Sequence, residues 1–343
     1  MTDARTTRRR FLHTAALTAT AAHLLPHSLL AQQTSPVQSS PVQSTPVAPP
    51  TAAPPPDRLT QMRAAGASAK ITTHPLRGNV SALLGSGGNI AVLTGAPGAP
   101  KSDGKLLIDS GFSTSRPQIA EALAAINADP LTHLIDTHWH FDHTDGNGWM
   151  HTAGATIIAH ENTKKRLSTD QRIAAFGMTV PASPAGALPT VVFSEDHTLA
   201  LNGETLHLTH YAPAHTDTDI SVYFANADIL HVGDTWFNGI YPFIDYSTGG
   251  NIDGMVAAAK RNLSTATAKT IIIPGHGPIG DRAQLQQFHD MLSGVRETVA
   301  TLKRQGRSID DIIAAKPTAP FDSNFKAALG PVGSFIRLVF QGV

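Results

Sequence analysis

The 343-residue chain contains no cysteine. That absence excludes disulfides, thiolate nucleophiles and thiolate metal ligands together, so any metal must be held by imidazole and carboxylate. Also missing are a Gly-x-Ser-x-Gly turn to present a serine nucleophile and a Gly-rich loop of the kind that cradles phosphate. Neither sign of charge is in excess, since Lys plus Arg and Asp plus Glu number 26 each. Four of the positives (Arg5, Arg8, Arg9, Arg10) and one negative, Asp3, fall in the first 31 residues. Without them 22 positives face 25 negatives, a balance that draws the remainder toward neither nucleic acid nor anionic lipid. What is present suits a globular enzyme: 41 % hydrophobic and 15 % charged residues, with length for one large core or two small ones.

The N-terminus reads as an address. Thr7-Arg8-Arg9-Arg10-Phe11-Leu12, followed by a weakly apolar Ala/Leu/Thr stretch over 14–25, resembles a twin-arginine export signal over residues 1–31. A disordered basic tail is the plainer alternative, but the arginines lead into Phe-Leu and an uncharged run too short to span a membrane. The signal implies passage through the twin-arginine translocation machinery, a periplasmic or secreted protein, and no membrane span once it is removed. Residues 32–69 begin with a Pro/Ser/Gln/Val tract that cannot bury enough apolar area to fold, and read as a disordered linker.

Residues 70–343 are expected to form one domain of alternating strands and helices without an internal repeat. Strands are predicted over 89–94, 105–109, 132–136, 155–159, 220–224, 229–232 and 270–273. The runs 198–201 and 204–209 flank Asn202-Gly203, a two-residue turn that wants positive φ, and read as a hairpin. Pro117 opens a helix to about Ile126, and another runs from Glu161 into the region of Arg172. Ile252, Met255, Val256, Ala259 and Leu263 share one face of a third. A fourth starts at Asp281, a good N-cap with Gln284 three residues on, and ends at Gly306. This order suggests two packed sheets with helices outside.

The decisive stretch is Asp136-Thr137-His138-Trp139-His140-Phe141-Asp142-His143-Thr144-Asp145-Gly146, which leaves a strand and ends in turn residues. A single histidine is more often a structural polar group than a ligand. Four potential ligands within six positions reverse that expectation, because a loop can fold His138 and His140 toward one point and Asp142 and His143 toward a neighbouring one. His215, Asp234 and His276 follow three further buried strands, so a shared edge of the sheets can gather them.

In this order of motifs the sequence resembles the metallo-β-lactamase superfamily: Asp109 in Ile108-Asp109-Ser110-Gly111, the His-x-His-x-Asp-His run, a lone His215, Asp234 after Gly233, and His276 in Gly275-His276-Gly277. The resemblance implies a four-layer αββα sandwich, an α/β (α+β) fold, with the site between the tops of the two sheets. It implies that His138, His140 and His215 bind one metal ion, that Asp142, His143 and His276 bind a second, and that Asp234 bridges them. Asp142 is also the residue the family uses to orient the attacking water or move its proton. Asp109 reads either as support for the ligand loop or as a cap on a strand-end turn. Two zinc ions suit the donor set, with manganese or iron an option at the oxygen-rich second site. Such a pair lowers the pKa of a bridging water and polarises a carbonyl, so hydrolysis of a lactam, thioester, ester or lactone of a small molecule is the expected chemistry.

Substrate is less legible. Export and mature charge weigh against the glyoxalase-like and nuclease branches of the family. A class B β-lactamase proper fits the location, and Asn251 at a helix start resembles an asparagine that meets the lactam carbonyl; Asn251 and Asn238 also read as turn residues. Against that reading, Asp234 stands where those enzymes often carry cysteine or serine, and Phe237 where some carry a carboxylate-clamping lysine. An iron-dependent sulfur dioxygenase is a further alternative, though it needs only two histidines and one carboxylate. A non-catalytic metal-binding protein would not need an open two-metal site. Trp236, Asn238 and Tyr241 are the candidate substrate-pocket residues, with Trp139, Phe141 and Phe243 nearby and Phe141 read as core.

Overall fold

The computed structural model describes residues 57–343 except 97, 99–101 and 329. The export-signal reading of 1–31 and most of the linker lie outside the described residues. Regular structure is present inside the expected linker. Helix α1 (Arg58–Ala67) occupies the end of the expected linker, started by Asp57, whose carboxylate accepts from the Thr60 N–H at 2.9 Å. Leu59 and Gly66 are buried, and Arg63 reaches Asp145 at 2.5 Å. A short helix with two buried positions carries little apolar signal in its sequence, because its partner is supplied from eighty residues away.

The chain then runs through β1 (Thr72–Pro75), β2 (Val80–Leu84), β3 (Ile90–Leu93), β4 (Lys105–Ile108), α2 (Arg116–Ile126) and β5 (Leu131–Ile135). Short helices α3 (Phe141–Thr144) and α4 (Asn147–Thr152) lead to β6 (Thr156–His160) and α5 (Glu161–Leu167). Helix α5 stops before the Arg172 region, because the Gln171 side chain donates to the Arg166 and Thr169 carbonyls and turns the chain into a small hairpin, β7 (Gln171–Ile173) and β8 (Met178–Val180). Next come β9 (Val191–Phe193), β10 (His197–Leu201), β11 (Glu204–His210), β12 (Ile220–Phe224), β13 (Ile229–His231), α6 (Ile252–Thr265), β14 (Ile271–Ile273), α7 (Arg282–Arg304), α8 (Ile309–Ala314) and α9 (Val332–Gly342). The β10–β11 turn has φ of 54° at Asn202 and 76° at Gly203, as the Asn-Gly pair predicts. Asp281 and Gln284 close a reciprocal capping box on α7. None of the described helices is long and apolar enough to cross a membrane.

Two sheets carry the site, one ordered β1-β2-β3-β4-β5-β6-β9 and one ordered β10-β11-β12-β13-β14. Strand alternation sorts the side chains into layers. Ala91, Leu93, Leu106, Ile108 and Ile135 face Leu206, Leu208, Val222, Ile229 and Ile273 between the sheets. Their neighbours Ile90, Val92, Leu107 and Leu134 turn outward onto Ile119 and Leu123 of α2. On the far side Leu230 and Ile272 pack against Met255 of α6, Phe288 and Met291 of α7 and Val339 of α9. The result is the expected αββα sandwich. β4, β5 and β6 are parallel, as are β13 and β14. The C-terminal ends of β4 and β5 therefore point to one edge of the first sheet, and those of β13 and β14 to the matching edge of the second.

Candidate metal centre

Each candidate ligand leaves the end of a strand at that edge. His138, His140, Asp142 and His143 follow β5, His215 lies between β11 and β12, Asp234 follows β13 and His276 follows β14. Their donor atoms fall into two groups, His138 with His140, His215 and Asp234, and Asp142 with His143 and His276. A zinc ion with ligands at 2.0–2.1 Å in a tetrahedron separates those ligands from one another by roughly 3.3 Å. In the first group His140 Nδ1 lies 2.8 Å from His215 Nε2, and Asp234 Oδ2 lies 3.3 Å from His215 Nε2 and 3.8 Å from His138 Nε2. In the second, His276 Nε2 lies 3.3 Å from His143 Nε2 and 3.2 Å from Asp142 Oδ2. Asp234 also reaches this group, at 3.2 Å from His143 and 3.5 Å from His276.

The distances alone would also allow a hydrogen-bonded cluster, but the donor inventory argues for a cation. His138 Nε2 and Asp234 Oδ1 are buried without a hydrogen bond, a costly condition for a polar atom unless an ion satisfies it. Four histidines commit their far nitrogens elsewhere: His138 Nδ1 to Thr137 Oγ1 at 3.0 Å, His140 Nε2 to Asp245 at 3.1 Å, His143 Nδ1 to Asp109 at 2.7 Å and His215 Nδ1 to the Phe243 carbonyl at 2.9 Å. Bonds of this kind set the tautomer and leave the inward nitrogen as the donor atom to a metal. The residues fit bound divalent metal.

Electrostatics follow the same division. Burial pushes the His138 pKa well below its ordinary value, with His143 adding to the effect, and burial lowers His215 to about 4 against the pull of Asp234. Burial also opposes a charged His143 and His276, yet the carboxylates prevail: Asp234, Asp109 and Asp142 hold His143 well above the usual range, and Asp234 with Asp142 raises His276 to about 9. Against burial, His276 and its neighbours hold Asp234 far down, and His143 and His276 bring Asp142 to about 2. The carboxylates thus favour the positively charged form at His143 and His276.

Two glycines make room for the ligands. A Cβ on Gly275 would lie 1.9 Å from Asp234 Oδ1, and one on Gly88 would fall 2.1 Å from the His143 ring. Asp109 sits at φ 66° and accepts from the Thr137 N–H at 2.7 Å and Thr137 Oγ1 at 2.8 Å as well as facing His143. It caps the turn and supports the ligand loop at once.

Other expected residues are placed differently. Asn251 is the N-cap of α6: its oxygen accepts from the Gly254 N–H at 2.7 Å and its amide donates to the Pro213 carbonyl at 2.9 Å, so its polar atoms serve the helix and not a substrate carbonyl. Trp236 is wholly buried in the core beneath α6 and α7. Asn238 is buried and donates to Pro278, tying the loop that carries His276. The Tyr241 hydroxyl is spent on Asp322 at 2.7 Å. The segment after Asp234 dives through the core, so closeness in sequence did not bring these side chains to the donor cluster.

Sequence reasoning missed Asp245 and Asn89. Asp245 is pinned by the Thr248 hydroxyl at 2.7 Å and the Ser247 N–H at 3.0 Å, and it orients His140. Asn89 donates to the Pro274 and Gly277 carbonyls, both at 2.9 Å, while its N–H reaches the Gly275 carbonyl at 2.8 Å; it sews the His276 loop to the first sheet. Neither carries a local signal, because the groups they hold lie far away in the chain.

An αββα sandwich with imidazoles and carboxylates gathered at one edge defines a class of metal-dependent hydrolases. The match to a family model agrees: residues 85–276 fit the metallo-beta-lactamase superfamily, and the chain belongs to that superfamily. Among curated proteins it is 30 % identical over 175 residues to the probable metallo-hydrolase YqgX of Bacillus subtilis, covering 48 % of this chain and 77 % of that one. It is 28 % identical over 165 residues to a hydroxyacylglutathione hydrolase of Rhodospirillum rubrum, covering 47 % of this chain and 55 % of that one. The match spans about half the length of that hydrolase. Among solved structures, the inverting sec-alkylsulfatase Pisa1 from Pseudomonas sp. superposes with a TM-score of 0.59 at 15 % identity, over 82 % of this chain and 51 % of that one. A metallo-beta-lactamase from Pontibacter korlensis gives 0.50 at 19 % identity, over 65 % and 99 %. At such identities the structural likeness speaks for the fold alone.

Proposed function

We propose that the protein is a zinc-dependent hydrolase with a dinuclear centre, acting on a lactam, thioester, ester or lactone carbonyl of a small molecule. The observation that carries this reading is Asp234, whose two oxygens face both imidazole groups, 3.3 Å from His215 on one side and 3.2 Å from His143 on the other. His138, His140 and His215 hold one ion in this proposal, Asp142, His143 and His276 the second, and Asp234 joins them. Manganese or iron suits the second group as well. When bound, the two ions supply a water of lowered pKa and polarise the carbonyl it attacks. Asp142 and His276 are the partly exposed members of the set, with side chains 16 % and 21 % accessible, so substrate approaches from their side. There the free face of the Asp142 carboxylate orients the attacking water and takes its proton.

A mononuclear iron oxygenase leaves the second group idle, so hydrolysis is preferred. A β-lactamase proper is disfavoured by Phe237, which stacks on His276 with centroids 5.2 Å apart where a carboxylate-bearing drug wants a cation. Purified protein should carry close to two zinc ions per chain and hydrolyse simple thioesters or lactones, losing activity to chelator and regaining it with zinc. Saturation at one ion ends the dinuclear proposal. A cephalosporin kcat/KM above about 10⁶ M⁻¹s⁻¹ makes the enzyme a β-lactamase outright. The proposal includes export to the periplasm or beyond through the twin-arginine machinery. Replacing Arg8 and Arg9 by Lys should strand metal-loaded protein in the cytoplasm, and unchanged export on fractionation refutes it.

A further inference from the structure

Trp139 stands between His138 and His140 in the chain and is buried. Each of its polar groups meets a threonine. Its N–H donates to the Thr218 hydroxyl at 3.1 Å, its indole Nε1–H donates to the Thr248 hydroxyl at 3.1 Å, and its carbonyl accepts from the Thr144 hydroxyl at 3.1 Å. A hydroxyl has one hydrogen to give, so donor and acceptor are fixed along each path. Thr248 gives its hydrogen to the Asp245 carboxylate at 2.7 Å. Thr216 gives its own to the Asp219 carboxylate at 2.6 Å, which leaves Thr218 as the donor in the 2.8 Å bond between the two threonines. Two one-way chains therefore leave Trp139, one from the amide through Thr218 and Thr216 to Asp219, the other from the indole through Thr248 to Asp245. Both end on buried carboxylates. Hydrogen bonds that run in one direction toward a charge polarise and strengthen one another.

The far ends of the chains hold the neighbouring donors. Asp219 accepts the N–H groups of His215 and Thr216 at 2.7 and 2.9 Å, and Asp245 accepts from His140 Nε2 at 3.1 Å. Backbone bonds join the two segments that bear these carboxylates, from the Asp217 N–H to the Thr248 carbonyl at 2.8 Å and from the Asp245 N–H to the His215 carbonyl at 2.9 Å. The indole also meets the His140 ring edge to face, with centroids 4.6 Å apart. Since the peptide bonds of Trp139 lead directly to His138 and His140, holding this one residue sets both against His215.

We infer that Trp139 is a positioning residue for the first donor group: the two threonine chains clamp the segment carrying His138 and His140 to the loop carrying His215. The inference rests on the metal-binding reading for its effect on zinc but not for the clamp itself. Replacing Thr218 or Thr248 by Val keeps the shape of the side chain and leaves a buried N–H of Trp139 without an acceptor, whereas Ser keeps the hydroxyl.

The test uses the full-length chain, zinc-loaded and metal-free. Thr218→Val and Thr248→Val should each lower zinc affinity at the group of His138, His140 and His215 by about tenfold or more and shift the cobalt spectrum of that group, with less than about a threefold change at the group of Asp142, His143 and His276. Thr218→Ser and Thr248→Ser should stay within about threefold of the parent at both groups. Ser308→Ala removes the distant cap of α8, controls for lost stability alone and should leave zinc affinity unchanged. In the metal-free protein, hydrogen exchange followed by NMR should quicken by about tenfold at the Trp139 amide in Thr218→Val and at its indole N–H in Thr248→Val. Should Thr218→Val fold poorly, Thr216→Val breaks the same chain one bond further from Trp139 and should quicken exchange of the same amide. If the parent binds no zinc yet both exchange rates rise, the metal reading has failed and the clamp stands. If zinc binds and the Val variants leave its affinity unmoved, weaken both groups alike or do no more harm than the Ser variants, the positioning role is overturned; unchanged exchange at both Trp139 positions overturns the clamp with or without zinc.

Discussion

Asp109→Asn and Asp245→Asn form a matched pair of perturbations, one aimed at each group of donors. Both replacements keep the shape of the side chain and remove its charge. Asp109 Oδ2 receives the His143 Nδ1 hydrogen at 2.7 Å, and Asp245 Oδ2 receives that of His140 Nε2 at 3.1 Å. An amide must either present its weaker oxygen or turn an NH₂ against a ring N–H. Losing such a bond behind a metal-binding histidine typically reduces metal affinity 10- to 100-fold, which is about 1.4 to 2.8 kcal/mol. The Asp109 variant should sit at the upper end, since its carboxylate is wholly buried and also holds the Thr137 N–H and hydroxyl. Asp245 should give the smaller effect because its bond is longer. Competition of each zinc-loaded variant against a chromophoric chelator resolves the two stepwise affinities. Substituting cobalt reports which ligand set is emptied, through the band intensity of the remaining ion. Asp109→Asn should empty the Asp142, His143 and His276 group first, and Asp245→Asn the group containing His140. If the two variants lose the same ion, or neither affinity moves by as much as threefold, the assignment of these carboxylates to separate ions is wrong.

Gly275→Ala should abolish binding of both ions and lower stability by several kcal/mol, because the new methyl collides with Asp234 Oδ1 at 1.9 Å and with the Gly233–Asp234 backbone at 2.7–2.8 Å, none of which is a flexible tip; metal analysis with thermal unfolding reads both, and a variant holding two ions contradicts the packing. Zinc uptake at pH 7 should release protons, since His143 and His276 are raised above their ordinary values and are charged in the metal-free protein. Affinity should accordingly fall as pH drops from about 9, the His276 value, and calorimetry in two buffers of different ionisation enthalpy counts the protons; a count of zero refutes the charge assignment. Asn251→Ala should cost about 1 kcal/mol of stability through loss of the α6 cap while leaving kcat within twofold, and a hundredfold fall in kcat would restore the oxyanion role.

Much of the architecture was legible because its causes are local. The Asn202-Gly203 turn, the Asp281 and Gln284 capping box and the all-apolar run Ile90 to Leu93 of a buried strand each depend on residues a few positions apart. Helix α9 was not predicted, although Phe335, Ile336 and Val339 form a buried stripe, and its core contacts come from α6 and α7. Strands β1 and β2 escaped for a related reason: β1 is an exposed edge strand, and β2 runs into the glycines that pass beside His143.

The sequence by itself determined the donor set. With no cysteine to compete, the spacing His138, His140, Asp142, His143 and three further ligands at strand ends left little other use for so many imidazoles and carboxylates. Tertiary structure alone decided which donors come together in each group, that Asp234 faces both groups, and that Asp245 orients His140 from 105 residues away while Asn89 ties down the His276 loop at Pro274, 185 residues away. It also overruled sequence proximity at Trp236, Asn238 and Tyr241. The physical reason is range. Ligand chemistry and turn preference belong to a residue and its immediate neighbours, whereas burial, support and the walls of a cavity depend on where strands far apart in the chain come to rest against one another.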